Sequence, residues 1–182
     1  MHLLQLTFAT LFLHLVCGAA VNPGAPPTVP PGTIFCDIKQ TGPPIVAISP
    51  QHSEINGLEV TTSTTQASLT AKGFNGGYKF DGGIGALGGC HAFYLNIIPS
   101  KNSYKQLLWQ FDNKVTTTWT AGLGQQVTAR ATESYPATSR FLACGSTKGG
   151  WFLYLQTGKD QPPGVLCYET QLQVAKKVTT GP

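Results

Sequence analysis

Charged side chains are scarce in this chain. Only 11% of its 182 residues are Asp, Glu, Lys or Arg, which is less than half of the roughly 25% typical of soluble proteins. The formal net charge is +4, and the lysines are scattered along the sequence. A nucleic-acid interface needs basic residues gathered on one face, so we predict that the chain has no nucleic-acid partner.

Patterns that support catalysis or metal binding are missing as well. Beyond the first twenty residues the only histidines are His52 and His91. The sequence has no Gly-x-Ser-x-Gly elbow, no calcium loop and no pair of histidines at zinc spacing. The eight carboxylates lie in no recognisable acid–base motif. We therefore predict a protein without catalytic residues, cofactor or metal, and a polysaccharide-acting enzyme with an unrecognised carboxylate pair is the second alternative.

The N-terminus has the features of an export signal. An apolar stretch at residues 3–16 leads to Gly18 and Ala20, small residues placed for cleavage before Val21. The stretch is too short to span a bilayer comfortably, and a segment with five prolines follows it at 21–33. We predict a signal peptide at 1–20, a proline-rich arm at 21–33 and one domain at 34–182 of a secreted, extracellular protein without a membrane anchor.

Four cysteines remain once Cys17 leaves with the signal peptide. An even number in an oxidising compartment favours two disulfides, which three pairings allow. We predict the pairs Cys36–Cys90 and Cys144–Cys167, because the second pair is expected on neighbouring strands of one hairpin.

Short runs of alternating polar and apolar residues, separated by Gly, Pro and Asn, predict an all-β, single-domain antiparallel sandwich or barrel. One segment also fits a helix, because Tyr104, Leu107, Leu108 and Phe111 follow helical spacing; we predict a strand there. The expected strands are 34–38, 45–48, 58–61, 67–71, 92–98, 106–111, 115–120, 126–131, 140–144, 151–156 and 165–174.

Glycine is concentrated at residues 73–89, and residues 83–88 match the dinucleotide-binding fingerprint Gly-x-Gly-x-x-Gly. That fingerprint works only between a strand and a helix whose N-terminus holds the pyrophosphate. A β-like run follows instead, so we predict a flexible loop or tight turns between strands.

Aromatic side chains are the residues from which a binding surface could be built. Tryptophans usually belong to the core, but an exposed row of Trp and Tyr would form a platform for stacking on sugar rings. The residues that we consider for such a ligand-binding surface are Tyr78, Tyr104, Trp109, Trp119 and Tyr135.

The C-terminal third carries a family resemblance. Phe141-Leu-Ala-Cys144, then Trp151-Phe-Leu-Tyr-Leu155, then Val165-Leu-Cys-Tyr-Glu-Thr170 resemble the end of the PhiA-type fungal secreted cell-wall proteins. The resemblance implies a non-enzymatic, wall-associated structural or interaction protein whose partners are cell-wall polysaccharide or other wall proteins. The alternative is a carbohydrate-binding module that uses exposed aromatics.

Export can be tested on protein recovered from the medium. Because the small residues end at Ala20, intact-mass spectrometry should find a mature chain that begins within a residue or two of Val21. Extracellular protein that retains Met1 would contradict the prediction.

Overall fold

Twelve β-strands make up the part of the chain that the computed structural model describes, which is residues 43–71, 78–80, 83–88, 91–111, 113–147 and 149–176. No helix occurs within these ranges. The strands are β1 (Ile45–Ile48), β2 (Glu59–Thr61), β3 (Ser68–Thr70), β4 (Tyr78–Lys79), β5 (Gly85–Gly88), β6 (His91–Ile97), β7 (Tyr104–Phe111), β8 (Trp119–Thr120), β9 (Thr128–Ala129), β10 (Phe141–Gly145), β11 (Trp151–Gln156) and β12 (Cys167–Val174).

Six of these strands close into an antiparallel barrel. Their order is β10-β12-β1-β2-β3-β11, and β11 pairs back to β10 to complete the circle. Strands β7, β6, β5 and β4 extend the sheet from β11, and β8 with β9 forms a separate two-stranded ribbon. The predicted all-β fold is confirmed, and it takes the barrel form.

Alternating side chains fill the barrel. In β12, Thr170, Leu172 and Val174 are buried whereas Glu169 and Gln171 are exposed, as expected for a half-buried strand. The same alternation places the other core side chains inside: Ile45, Ala47, Val60, Leu69, Phe141, Ala143, Leu153 and Leu155 are each at most 2% exposed.

The segment whose sequence also fitted a helix forms strand β7. Lys105, Leu107 and Trp109 are buried and alternate with more exposed neighbours. A two-residue period is that of a strand, and β7 is paired on both edges, with β6 and with β11. The strand prediction is therefore confirmed.

The glycine-rich segment is more regular than predicted. Instead of only a loop or turns, it contributes β4 and β5, which pair with each other and with β6. A β-carbon on Gly85 would lie 3.3 Å from the Tyr94 ring, so glycine permits this close approach. Because residues 85–88 are themselves a strand, the Gly-x-Gly-x-x-Gly match cannot form a nucleotide-binding turn.

The strand predicted at 115–120 is shorter than expected, because its first backbone amides hydrogen-bond to the side chain of Asn96 instead of to a neighbouring strand. The amides of Val115 and Thr116 donate to Asn96 Oδ1, at 3.0 and 2.8 Å, and Thr116 Oγ1 accepts from the amide of Ile97 at 2.8 Å. Only Trp119–Thr120 pairs as a strand.

The Cys144–Cys167 disulfide is present. The two residues face each other on β10 and β12, which are neighbours in the barrel but not consecutive strands; the hairpin partner of β10 is β11. The predicted strand at 34–38 and the predicted partners Cys36 and Cys90 lie outside the described residues.

Removing this disulfide should reduce stability. The bond closes a segment with a sequence separation of 23, for which chain entropy predicts about 3 kcal/mol. Urea unfolding of Cys144→Ala/Cys167→Ala should show that loss in the free energy of unfolding, with Cys36 and Cys90 left unchanged. A loss below about 1 kcal/mol would mean that residual contacts between the β10 and β12 segments already restrict the chain in the unfolded state.

Candidate functional site

The feature most suited to binding is a shallow groove on the outside of the sheet, where β7 and β11 pair. Tyr154 faces Gln106 and Gln156 faces Tyr104 in the register of this pair. The groove has a volume of about 260 Å³. We call it the tyrosine groove; its lining residues are Ile98, Ser100, Asn102, Tyr104, Gln106, Tyr154 and Pro162.

Strand alternation turns the two tyrosines outward. The neighbours of Tyr154, Leu153 and Leu155, are both buried in the core, as is Lys105 beside Tyr104. Successive side chains of a strand point to opposite faces, so Tyr104 and Tyr154 lie on the outer face and are half-buried.

The two rings form an edge-to-face pair. Their centroids are 5.8 Å apart and their planes make an angle of 86°, which is a favourable arrangement for aromatic side chains. An edge-to-face contact leaves most of the ring surface uncovered by the partner ring. Neither phenol hydroxyl hydrogen-bonds to another described residue, so the pair presents both apolar ring surface and free polar ends.

One wall of the groove is the turn at residues 98–103, which a buried lysine holds in place. Lys105 is 4% exposed, and its Nζ donates to the carbonyl oxygens of Ser100 at 2.6 Å and Asn102 at 2.5 Å. The amide of Ile98 donates to the Gln106 carbonyl at 2.9 Å. A charged amine that satisfies two turn carbonyls fixes the turn more firmly than neutral hydrogen bonds do.

The opposite wall, residues 157–162, is tied to the same turn through Ser103. The Thr157 amide donates to the Ser103 carbonyl at 2.7 Å, and Ser103 Oγ lies 2.9 Å from both Asp160 Oδ2 and the Asp160 amide nitrogen. A β-carbon on Gly158 would lie 2.6 Å from Ser103 Cβ, so glycine is needed where the walls meet.

Amide groups of two glutamines beside the groove are incompletely satisfied. Gln66 Oε1 accepts from Gln106 Nε2 at 3.3 Å, but the buried Gln66 Nε2 has no hydrogen-bond partner. Gln156 is 2% exposed; its Nε2 donates to the Asp160 carbonyl, and its Oε1 is unpartnered. A buried polar atom without a partner costs about 1–3 kcal/mol, so these two amides reduce the stability of this part of the sheet.

The described residues that line the groove carry no charge, in contrast to a second surface beside β12. There Arg140 and Glu169 form a two-pronged ion pair with both contacts at 2.7 Å. The hydrogen bond from Arg140 holds the pKa of the Glu169 carboxyl below its ordinary value. The ion pair therefore favours the ionised form of Glu169.

The predicted ligand-binding aromatics divide into two groups. Tyr78, Trp109 and Trp119 are 3%, 4% and 7% exposed, so the prediction that they form an exposed stacking surface is wrong. Each instead donates its polar hydrogen to a backbone carbonyl in the interior. Burial, and next the charge of Glu59, raise the pKa of Tyr78.

The other two predicted tyrosines are half-buried but far from equivalent. Tyr104 lines the groove, whereas Tyr135 packs against the core and its hydroxyl lies 3.1 Å from Thr118 Oγ1. Sequence reasoning missed Tyr154. Its place between two apolar leucines in an alternating run was the signal that could have identified it as outward-facing.

Among the described residues, the histidine and carboxylate side chains do not gather into one cluster. His52 stacks on Tyr168 with ring centroids 4.1 Å apart, and Tyr168 also contacts Glu54 and Trp151. Among the residues that the structure describes, no three His, Cys, Asp or Glu side chains are placed to hold a metal ion. None of the described segments forms a helix long and apolar enough to cross a membrane.

Substituting Gly158 should disturb the groove. The new methyl group of Gly158→Ala would overlap Ser103 and push the two walls apart, at a cost of about 1–3 kcal/mol. Hydrogen exchange should speed up in residues 98–103 and 157–162. Gly145→Ala is the matched control, because its β-carbon would meet only ordinary contacts at 3.6 Å or more; equal exchange in both variants would contradict this account.

Comparisons with known proteins identified no relative of this chain. Family models, curated proteins and solved structures gave no match. The function must therefore be argued from the residues of the groove and from the features of the sequence.

Proposed function

We propose that this chain is a secreted, non-catalytic protein that attaches to a neutral cell-wall polysaccharide through the tyrosine groove. The observation that carries the proposal is the outward pair Tyr104–Tyr154, whose described neighbours in the groove have apolar, hydroxyl or amide side chains.

The chemistry of the groove fits a sugar ring. The C–H face of a pyranose stacks on an aromatic ring, as other apolar surfaces do. Its hydroxyl groups both donate and accept, which matches the mixed capacity of Asn102, Gln106 and Ser100. A volume near 260 Å³ is below the range of pockets that enclose a drug-sized ligand, so the groove suits a ligand held on the surface.

The absence of charged lining residues supports a neutral ligand. Polyanions such as nucleic acids or acidic glycans are bound by Lys and Arg, and neither is among the described residues that line the groove. Glucan and chitin, in contrast, present hydroxyl, amide and C–H groups only. The low charge of the whole chain agrees with residence in such a matrix.

Binding without hydrolysis fits the placement of the acidic groups. Cleavage of a glycosidic bond usually needs two carboxyl groups on either side of the bond, one of them protonated. No described carboxylate lines the groove, and Asp160, which lies near it, is held by Ser103. The signal peptide predicted at 1–20 and the resemblance to PhiA-type wall proteins support an extracellular, wall-associated role.

Sedimentation with insoluble polysaccharide tests the proposal. The mature protein should pellet with at least one of chitin, β-glucan and cellulose, and should release no soluble sugar. Tyr154→Ala removes one stacking ring and should weaken retention about tenfold, which corresponds to about 1.4 kcal/mol. Circular dichroism of the variant verifies that it is folded.

Phe111→Ala is the control for this experiment. Phe111 is an aromatic residue on the same strand as Tyr104, is 53% exposed, and lies roughly 23 Å away along β7. Its substitution should leave retention unchanged. Failure of the mature protein to pellet with all three polymers, or equal loss in the two variants, would overturn the proposal.

A further inference from the structure

We propose that the tyrosine groove is one end of a longer track along β11, and that the track binds several consecutive rings of a linear, neutral glycan. This inference rests on the proposed function and specifies its ligand. The other end of the track is a cleft of about 490 Å³ beside Phe152. We call it the hydroxyl cleft, because six of its lining residues carry hydroxyl groups: Thr61, Ser63, Thr64, Ser68, Thr70 and Ser146.

The two clefts occupy consecutive outward positions of one strand. Phe152 lines the hydroxyl cleft and Tyr154 lines the tyrosine groove. Residues two apart on a strand share a face and lie roughly 7 Å apart. The register continues this order across the sheet, because Phe152 faces Ser68 and Tyr154 faces Gln106.

A pair of amides joins the clefts. Gln66 lies two residues before Ser68 and forms a bridge with Leu108 on β7. Its side chain accepts from Gln106 of the tyrosine groove, while its own Nε2 has no partner. The hydrogen bond from Gln106 to Gln66 thus links the strand that lines the tyrosine groove to the segment that leads into the hydroxyl cleft.

The hydroxyl cleft repeats the chemistry of the tyrosine groove. Phe152, which is half-buried, supplies aromatic surface, and the exposed hydroxyl residues Ser63 and Thr64 supply hydrogen-bonding groups. None of the described residues that line it is charged. Two clefts with the same aromatic and uncharged polar character on one strand favour a repeating ligand over two different ones.

The length of the track excludes a single sugar as the complete ligand. From Phe152 past Tyr154 to the position of Gln156, which faces Tyr104, the strand advances roughly 13 Å. That distance exceeds one pyranose ring. A chain that occupies both ends gains contacts that a short fragment lacks, so affinity should rise with chain length until the track is full.

Calorimetric titration with cello-, laminari- and chito-oligosaccharides, from disaccharide to hexasaccharide, tests the track. For the series that binds, the hexasaccharide should bind at least tenfold more tightly than the disaccharide. Phe152→Ala should weaken hexasaccharide binding about tenfold, and Tyr154→Ala should weaken binding at every length. Phe111→Ala is again the control and should match the wild type.

A second variant keeps the test valid if Phe152→Ala fails to fold. Ser63 is exposed and lines the hydroxyl cleft, so Ser63→Arg should fill that cleft with a charged side chain while leaving the core intact. It should also weaken hexasaccharide binding about tenfold.

The outcomes separate the two proposals. Affinity that does not increase with chain length, or hexasaccharide binding that is insensitive to Ser63→Arg, overturns the track. If Tyr154→Ala still weakens binding in that case, the proposed function stands. If no oligosaccharide binds the wild-type protein and no polymer pellets with it, both proposals are wrong.

Discussion

Strand β11 occupies a position on which both the barrel and the groove depend. One edge pairs with β10 and closes the barrel, while the other edge is shared, first by β3 and then by β7. Its side chains alternate between Leu153 and Leu155 in the core and Phe152 and Tyr154 outside. A slip of one residue in either pairing would exchange these faces. The burial of two leucines in the core therefore also fixes the position of the two aromatic residues on the surface.

Rigid walls make a shallow groove useful, because a ligand then does not have to order the loops that contact it. Ser103 connects the turn at 98–103 to residues 157–160 by several hydrogen bonds, and Lys105 closes the turn from beneath. These contacts engage the Lys105 amine and the Asp160 carboxylate. The described residues that line the groove are uncharged, which connects the low charge of the chain to the chemistry of this surface.

Local patterns predicted the strands well, and long-range pairing decided the rest. Residues 45–48 and 151–156 were predicted with the bounds that the structure has, because their apolar residues alternate cleanly. Residues 115–120 were predicted too long, since the alternation cannot reveal that Asn96 takes the amides of that segment. The sequence contains Tyr104 and Tyr154 but does not show that they are neighbours, because their contact arises from the pairing of residues 48 to 52 positions apart on β7 and β11.

The aromatics show why composition alone could not identify the binding surface. A buried Trp or Tyr needs a partner for its polar hydrogen, and Tyr78, Trp109 and Trp119 each find a backbone carbonyl on another strand. Whether such a carbonyl is within reach depends on the fold and leaves no trace in the local sequence. The hydroxyls of Tyr104 and Tyr154 find no partner in the described chain, so water or a ligand must satisfy them. The need for a hydrogen-bond partner is met inside the molecule for the three buried aromatics. For Tyr104 and Tyr154 no described residue meets it, which leaves these two tyrosines available for binding.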